Sequence, residues 1–399
     1  MSWDYVTLDK LGSISRGKSK HRPRNDKTLF GGKYPFIQTA DVKAAGLYLT
    51  EYTETYSDKG LAQSKLWPAG TLCITIAANI ADTTILGIDA CFPDSVMGFI
   101  PYEGVSNVKF VKYAFDILQR DCKKISQGTA QDNLSWKKLS TIKFPSPDIE
   151  IQNKIVSILS VYDDLIGNNQ KQIKLLEEVA QRLYKEWFVD LRFPGYEDME
   201  IVDGVPEGWT YKRVEEFGEV ITGKTPSTSK TEYYGGNIPF VTIPDMHGTV
   251  FPLVTEKTLT KVGADTQKSK YLSVNSVIVS CIATVGLVNI AVEPCQTNQQ
   301  INSVVLNNDN DLYFFYESMK RIKALLDGVG SNGATMTNVN KTKFSSIKVL
   351  YPTEDLVIRY NEFCKPIFDK ILMLSKGILV SKQARDRLLP KLMSGEIEV

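Results

Sequence analysis

The chain has 399 residues, 43% hydrophobic and 23% charged, with a formal net charge of +1. That length predicts about two or three domains, each able to bury a core, and the composition excludes a disordered, collagenous or disulfide-framed chain. Six cysteines (Cys73, Cys91, Cys122, Cys281, Cys295, Cys364) form no C-x-x-C pair, and the two histidines have no Cys or His in ligand spacing, so the expectation is reduced thiols, no zinc and a cytoplasmic location.

The first ten residues, MSWDYVTLDK, carry charges where a secretory leader needs apolar residues. Residues 1–148 hold 19 Lys/Arg against 15 Asp/Glu, and residues 16–27 hold six basic residues against one acid. Arg16, Lys18, Lys20, Arg22 and Arg24 in this loop suit phosphate contact. A solvated loop accounts for the same charges. The run GSISRGKS (12–19) also matches the nucleotide-binding pattern G-x-x-x-x-G-K-S/T, as does GEVITGKT (218–225). A working phosphate loop needs a buried strand before the first Gly and a helix opening at the Lys, so that backbone N–H groups face the phosphates. Here YVTLDKL and YKRVEEF mix charges into the strand, and SKHRPRND and TPSTSKTE, with Pro23 and Pro226, start helices poorly. The expectation is a flexible Gly-Lys-Ser/Thr loop facing nucleic-acid phosphates. The enzymatic rival is an ATPase with two sites.

Farther along, the β-branched runs Leu72–Ile76 and Val277–Ile282 predict buried strands, and one helix is expected in each half near Tyr113–Ile125 and Leu312–Leu326. The run Val277 to Val292 is interrupted by Ser280, Thr284, Gly286 and Asn289 and is too short and polar for a membrane span. Pro93-Asp94 followed by Asp121-Cys122-Lys123 has metal-nuclease spacing, but Asp121 falls in an expected helix rather than on a strand. No N/D-P-P-aromatic tetrapeptide of an amino-methyltransferase occurs, and His21 and His247 read better as polar surface than as general bases. The remaining candidates are polar loop residues: Gln127 and Gln131 in SQGTAQDN (126–133), Asn332 in GSNGATMTN (330–338), Gln299 in TNQQIN (297–302), and Lys224, Thr228, Lys230 and His247. Amides and hydroxyls beside glycines suit base edges; an ordinary cluster of turns explains them as well. No catalytic or metal-binding residue is assigned.

The strongest feature is an internal repeat. GKYPFIQTADV (32–42) answers GNIPFVTIPDM (236–246), TLCITIAANI (71–80) answers SVIVSCIATV (276–285), and Gly128 to Pro147 answers Gly333 to Pro352, at offsets of 204 to 205. Each copy ends in a long helical stripe. The first runs Ile151, Ile155, Ile158, Tyr162, Leu165, Asn169, Ile173, Leu176, Ala180, Leu183, Trp187. The second runs Leu356, Tyr360, Phe363, Ile367, Ile371, Leu374, Ile378, Ser381, Arg385, Leu388, Leu392, with Pro366 and Gly377 expected to kink it or split its start. Steps of four and three are a coiled-coil seam; two ordinary core helices are the other reading.

The fold class expected is α+β: two similar globular domains and two long antiparallel helices forming a coiled coil, as an internal pseudo-twofold repeat. The boundaries drawn are 1–148 and 196–353 for the domains, and 149–195 and 354–399 for the helices.

YPFIQTADV and IPFVTIPDM, SVIVSCIATVG followed by TNQQIN, LEEVAQRLYKEWFVDLRFPG (176–195) and the terminal RLLPKLMSGEIEV together resemble the specificity subunit of type I restriction–modification systems. The resemblance spans nearly the whole chain. It implies that the globular parts are target recognition domains, each reading one half of a split, asymmetric site in double-stranded DNA. It further implies that the helices space them and dock two modification subunits, that those partners bind S-adenosylmethionine and methylate adenine, and that a restriction subunit using ATP and Mg completes the nuclease. No cofactor is expected on this chain, and no membrane. A coiled-coil adaptor without a DNA role is the third reading. The repeat also predicts that the half-chain 1–200 pairs with itself.

Overall fold

The computed structural model describes residues 3–76, 82–125, 139–327 and 338–399, with the side chains of 120–125 and 326–327 left aside. The chain divides into two compact units, one running to Asn168 and completed by Leu379–Val399, the other spanning Asn169–Ile378. Both unit boundaries therefore fall inside the long helices Ile149–Phe188 and Glu354–Met393.

In the first unit a five-stranded sheet runs in the order Gly12–Arg16, Val96–Pro101, Leu72–Thr75, Thr83–Leu86, Tyr48–Leu49, antiparallel except at its last pair. The strand Leu72–Thr75 is buried throughout because both faces of the sheet are covered. Leu72 and Ile74 point into a core with Phe99, Phe110, Phe115 and Phe144, whereas Cys73 joins Trp67, Phe92 and Val96 on the other face. A second sheet orders Glu54–Tyr56, Phe30–Phe36, Ala90–Cys91, Leu66–Trp67.

The second unit repeats this plan. Its main sheet runs Gly218–Thr222, Ile301–Leu306, Val277–Ser280, Val288–Ile290, and its second sheet Lys257–Leu259, Tyr234–Val241, Gln296–Thr297. Even the registers correspond: Val96 opposes Thr75 as Ile301 opposes Ser280, and both long strands of the second sheets carry the same irregularity, between Phe30 and Tyr34 and between Tyr234 and Ile238. The expected strands at 72 and 277 and the expected helices are present. The helix of the first unit is Val108–Ile125, and its counterpart breaks at Arg321 into Leu312–Lys320 and Ile322–Asp327. There the Arg321 amide turns back to Ser318 in a tighter turn.

Each long helix has 40 residues, about 60 Å at ~1.5 Å per residue. Within each unit the two helix segments run antiparallel. In the first, Lys154 reaches the Val399 carbonyl and Asp163 reaches Arg385, while Ile155 and Leu159 share a core with Leu389 and Leu392. In the second, Trp187 packs edge-on to Tyr360 and Asn169 lies against Gly377, where an added Cβ would sit 3.2 Å from its Nδ2. The second helix is unbroken, so Pro366 does not split it.

The seam differs from the expectation in part. Ile158 and Leu165 are exposed, and the buried line runs through Leu159, Asp163 and Ile166 before rejoining the expected stripe at Asn169. Likewise Phe363 is exposed and Cys364 and Phe368 are buried. The reason is that these segments also pack on their own globular domain, which rotates and widens the buried face beyond a two-helix seam. Asp163 enters the line only because Tyr113 and Arg385 satisfy it.

Candidate nucleic-acid interface

The two Gly-Lys segments leave the main sheets in the same way. Gly12–Arg16 and Gly218–Thr222 are themselves strands, preceded by the single-turn helices Leu8–Leu11 and Val214–Phe217, and no helix opens at either lysine. The backbone donors that a phosphate loop would need are engaged on core carbonyls. Gly17 N–H donates to Val96 (2.8 Å) and Lys18 N–H to Phe92 (3.1 Å); Gly223 N–H donates to Ile301 (3.0 Å) and Lys224 N–H to Thr297 (2.9 Å). Glycine is required at both turns, since a Cβ would meet the Pro93 carbonyl at 2.3 Å and the Asn298 carbonyl at 2.2 Å. The expected flexible loop is thus a pinned one, and only its side chains are free to meet a partner.

In the first unit the lysine carbonyl is held as well: Ser64 Oγ donates to Lys18 O at 2.8 Å, and the His21 amide donates to Gln63 Oε1 at 3.0 Å. Arg16, Lys18 and Lys20 are exposed and have no ion-pair partner among the described residues. Arg22 folds back on the carbonyls of Ser19 and His21, both at 2.8 Å, and Arg24 makes a two-pronged pair with Asp94 at 2.9 Å. Asp94, half of the nuclease look-alike, is therefore committed to Arg24, and Asp121 lies on the helix Val108–Ile125. His21 Nε2 sits 2.8 Å from Asp26, whose carboxyl is held down to about 2 by the Thr28 hydroxyl and amide, with Lys59 and His21 adding to the effect.

In the second unit Lys224, Thr228, Lys230, His247 and Gln299 are all exposed. Lys224 and Gln299 are brought together: Thr225, beside the lysine, donates to Gln299 Oε1 at 2.7 Å. Lys230 faces Glu232 at 3.8 Å. His247 caps the short helix Ile243–Met246. The other polar residues of TNQQIN are structural: Asn302 bridges the Thr222 hydroxyl and the Val339 carbonyl, Asn298 pairs with Gln300, and Thr297 is buried in its strand. Gln127, Gln131 and Asn332 lie outside the described residues.

The residues that hold the loops were not singled out from the sequence. Ser64 follows the short helix Asp58–Ala62, and Gln267 follows its counterpart Lys261–Asp265 at the same distance. Gln267 Nε2 donates to Lys224 O at 2.6 Å and to Gln296 Oε1 at 2.8 Å. Lys59 and Lys65 in the first unit and Lys268 in the second add exposed cations along the same segments. Among the described residues no group of three or more His, Cys, Asp or Glu could hold a metal ion, and no helix is long and apolar enough to cross a membrane.

A model of the type I restriction modification DNA specificity domain matches residues 2–178 and again 206–356. The chain belongs to this family. It is 33% identical over 327 residues to the type I restriction enzyme HindI specificity subunit of Haemophilus influenzae, covering 66% of this chain and 71% of that one. It is 26% identical to the MjaIX specificity subunit of Methanocaldococcus jannaschii over 415 residues, which is 100% of this chain and 94% of that one. Its fold resembles the S subunit of a type I restriction–modification system from M. genitalium, with a TM-score of 0.55 at 15% identity, covering 98% of this chain and 96% of the other. The family match falls twice, once on each copy of the repeat, and the specificity subunits of this family recognise DNA.

Proposed function

We propose that each unit reads one half of a split, asymmetric site in double-stranded DNA, that the long helices set the spacing between the halves and dock two modification subunits, and that the chain itself performs no chemistry. The observation that carries this reading is the doubled loop: Lys18 and Lys224 leave equivalent strands, are pinned through equivalent backbone bonds and present their side chains to solvent. Two separate surfaces of one design suit two half-sites better than one. In unit one, Arg16, Lys18 and Lys20 supply phosphate contact, with Gln127 and Gln131 as candidate base readers. In unit two, Lys224, Thr228 and Lys230 supply backbone contact, and Gln299, Asn332 and His247 approach bases. S-adenosylmethionine belongs to the modification subunits, and ATP and Mg to a restriction subunit. The ATPase reading is disfavoured by the engaged amides of Gly17, Lys18, Gly223 and Lys224, which leave no cradle for phosphates.

Co-expression of the chain with a modification subunit of its own system, followed by genome-wide mapping of adenine methylation, tests the reading. A single split motif is expected. Methylation without a split motif, or ATP turnover by the pure chain that is lost in Lys18→Ala, overturns it.

A further inference from the structure

We infer that Ser64 and Gln267 are positioning residues: buried side chains that fix the backbone of the two Gly-Lys loops, and through it the specificity of each half-site, without touching DNA. The inference rests on the DNA-reading function above and goes one step deeper into the same surfaces.

The observation is a shared device built from different chemistry. In each unit one buried side chain, second after a short helix, donates to the carbonyl of the exposed loop lysine: Ser64 to Lys18 and Gln267 to Lys224. Each also meets the same place in the second sheet. The Ser64 hydroxyl counters the upward push of burial on the Cys91 thiol, and Gln267 bonds Gln296. Cys91 and Gln296 occupy matching registers, since they pair in parallel with Phe36 and Phe240 respectively. Two copies of a fold have kept the tie on the loop lysine while exchanging a hydroxyl for an amide. The retained feature is the connection, not the residue.

The tie acts on the surface directly. In the second unit Gln296 opens the segment that leads to Gln299, and its own Nε2 donates to Ala264 O at 2.9 Å. Gln267 therefore links the backbone carrying Lys224 to the backbone carrying Gln299, and Thr225 closes the ring onto Gln299 from above. The Gln267 amide nitrogen donates both its protons along this buried chain, so the chain defines one loop position in a way that apolar packing does not. Core stability of the unit lies elsewhere, in the aromatic cluster of Phe217, Phe314, Phe315 and Tyr351. Loss of the tie leaves the loop attached to the sheet by its Gly223 and Lys224 amides but free to shift its carbonyl side.

The test uses the full chain assembled with its modification subunit and synthetic duplexes carrying the mapped methylation motif, each half-site altered in turn, with a random duplex as reference. Gln267→Met and Ser64→Ala are expected to lower discrimination at one half-site each, by about tenfold, comparable to one mismatched base pair. Random-duplex binding should stay within about twofold, because the phosphate-contacting lysines remain. Ser64→Thr, which keeps the hydroxyl, is expected to restore discrimination. The half-site affected by Gln267→Met must be the one affected by Gln299→Ala. Equal loss on target and random DNA, or no loss while Gln299→Ala changes the motif, overturns the positioning role and leaves the DNA-reading function standing. Absence of a split motif with the wild-type chain overturns both. Should Gln267→Met lower the melting temperature strongly, the Ser64 pair of variants decides, since Ser64→Ala deletes one oxygen from a position with little volume to lose.

Discussion

Arg385→Ala should be among the most damaging single substitutions in the first unit. The Asp163 side chain is only 4% exposed, accepts the Tyr113 hydroxyl at 2.5 Å and meets Arg385 Nη1 at 2.6 Å. Tyr113 itself is pushed well up by burial and by the neighbouring carboxylate, so it stays a donor. Removing the guanidinium leaves a buried carboxylate with one neutral donor, a situation that costs roughly 3–5 kcal/mol. At ~2–4 °C per kcal/mol for a body of this size, the first unit should melt about 10 °C lower. The repeat supplies the control. Shifted by 205 residues, Asp163 becomes Phe368 and Arg385 becomes Ala180, and both of these lie in the apolar core of the second unit. The same helix interface thus functions without charge, and Asp163→Leu with Arg385→Leu and Tyr113→Phe should recover most of the loss. Hydrogen exchange over residues 149–168, together with thermal unfolding of the full chain, measures both. An Arg385→Ala cost below ~1 kcal/mol, or a triple variant no better than the single one, would refute the argument that unpaired burial sets the magnitude.

Three further outcomes are expected. Lys18→Ala and Lys224→Ala should each weaken binding across all sequences and reduce the salt slope by about one, whereas Gln299→Ala should relax base choice at one half-site by ~1–3 kcal/mol; one substitution that shifts both half-sites counts against separate readers. Glu317, pushed up to about 7 chiefly by burial, holds more protons folded than unfolded between its ordinary 4.5 and that value, so stability should fall as pH rises through this window by roughly 3 kcal/mol and then level off. Glu317→Gln should flatten most of that slope in melting curves at pH 5 to 8, and an unchanged slope assigns it to other groups. The half-chain 1–200 should self-associate weakly, because pairing two first helices sets Asp163 opposite Ala180 rather than Arg385; Asp163→Leu should strengthen the dimer in sedimentation, and tight pairing by the unsubstituted fragment would show that the carboxylate finds another partner.

The repeat was the most legible feature because it needs no knowledge of contacts: two stretches that spell one pattern must fold alike. It carried the α+β class, the paired strands at 72 and 277, and the two long helices. The seam was less legible. Ile158 and Leu165 fit a heptad by residue type and Asp163 does not, yet Asp163 is inside and the other two are outside. Periodicity reports which face is apolar, whereas the face that is buried also depends on the domain packed beside the helix. The split that Pro366 suggested is absent for a related reason. A proline lacks one helical donor, but within a 40-residue helix packed over much of its length that loss does not break the element.

Loop residues divide along a line that composition does not draw. Arg22, Arg24, Asn298 and Asn302 have the same chemistry as Lys18, Lys20 and Gln299, but the first four donate within the protein, to carbonyls, to Asp94 or to Gln300, whereas Lys18 and Lys20 have no ion-pair partner among the described residues and Gln299 only accepts, from Thr225. Some of those partners are distant in sequence and so leave no mark on composition: Asp94 lies 70 residues from Arg24, and Thr222 lies 80 from Asn302. The comparison of the two copies narrows the candidates further. A lysine that emerges from both copies through the same pair of amide bonds is placed by the fold, so its exposure is a property of the design and not of one loop. On that ground Lys18 and Lys224 are the firmest points of the two surfaces, and the readers of bases are to be sought among the exposed neighbours that the same ties hold in place, beginning with Gln299.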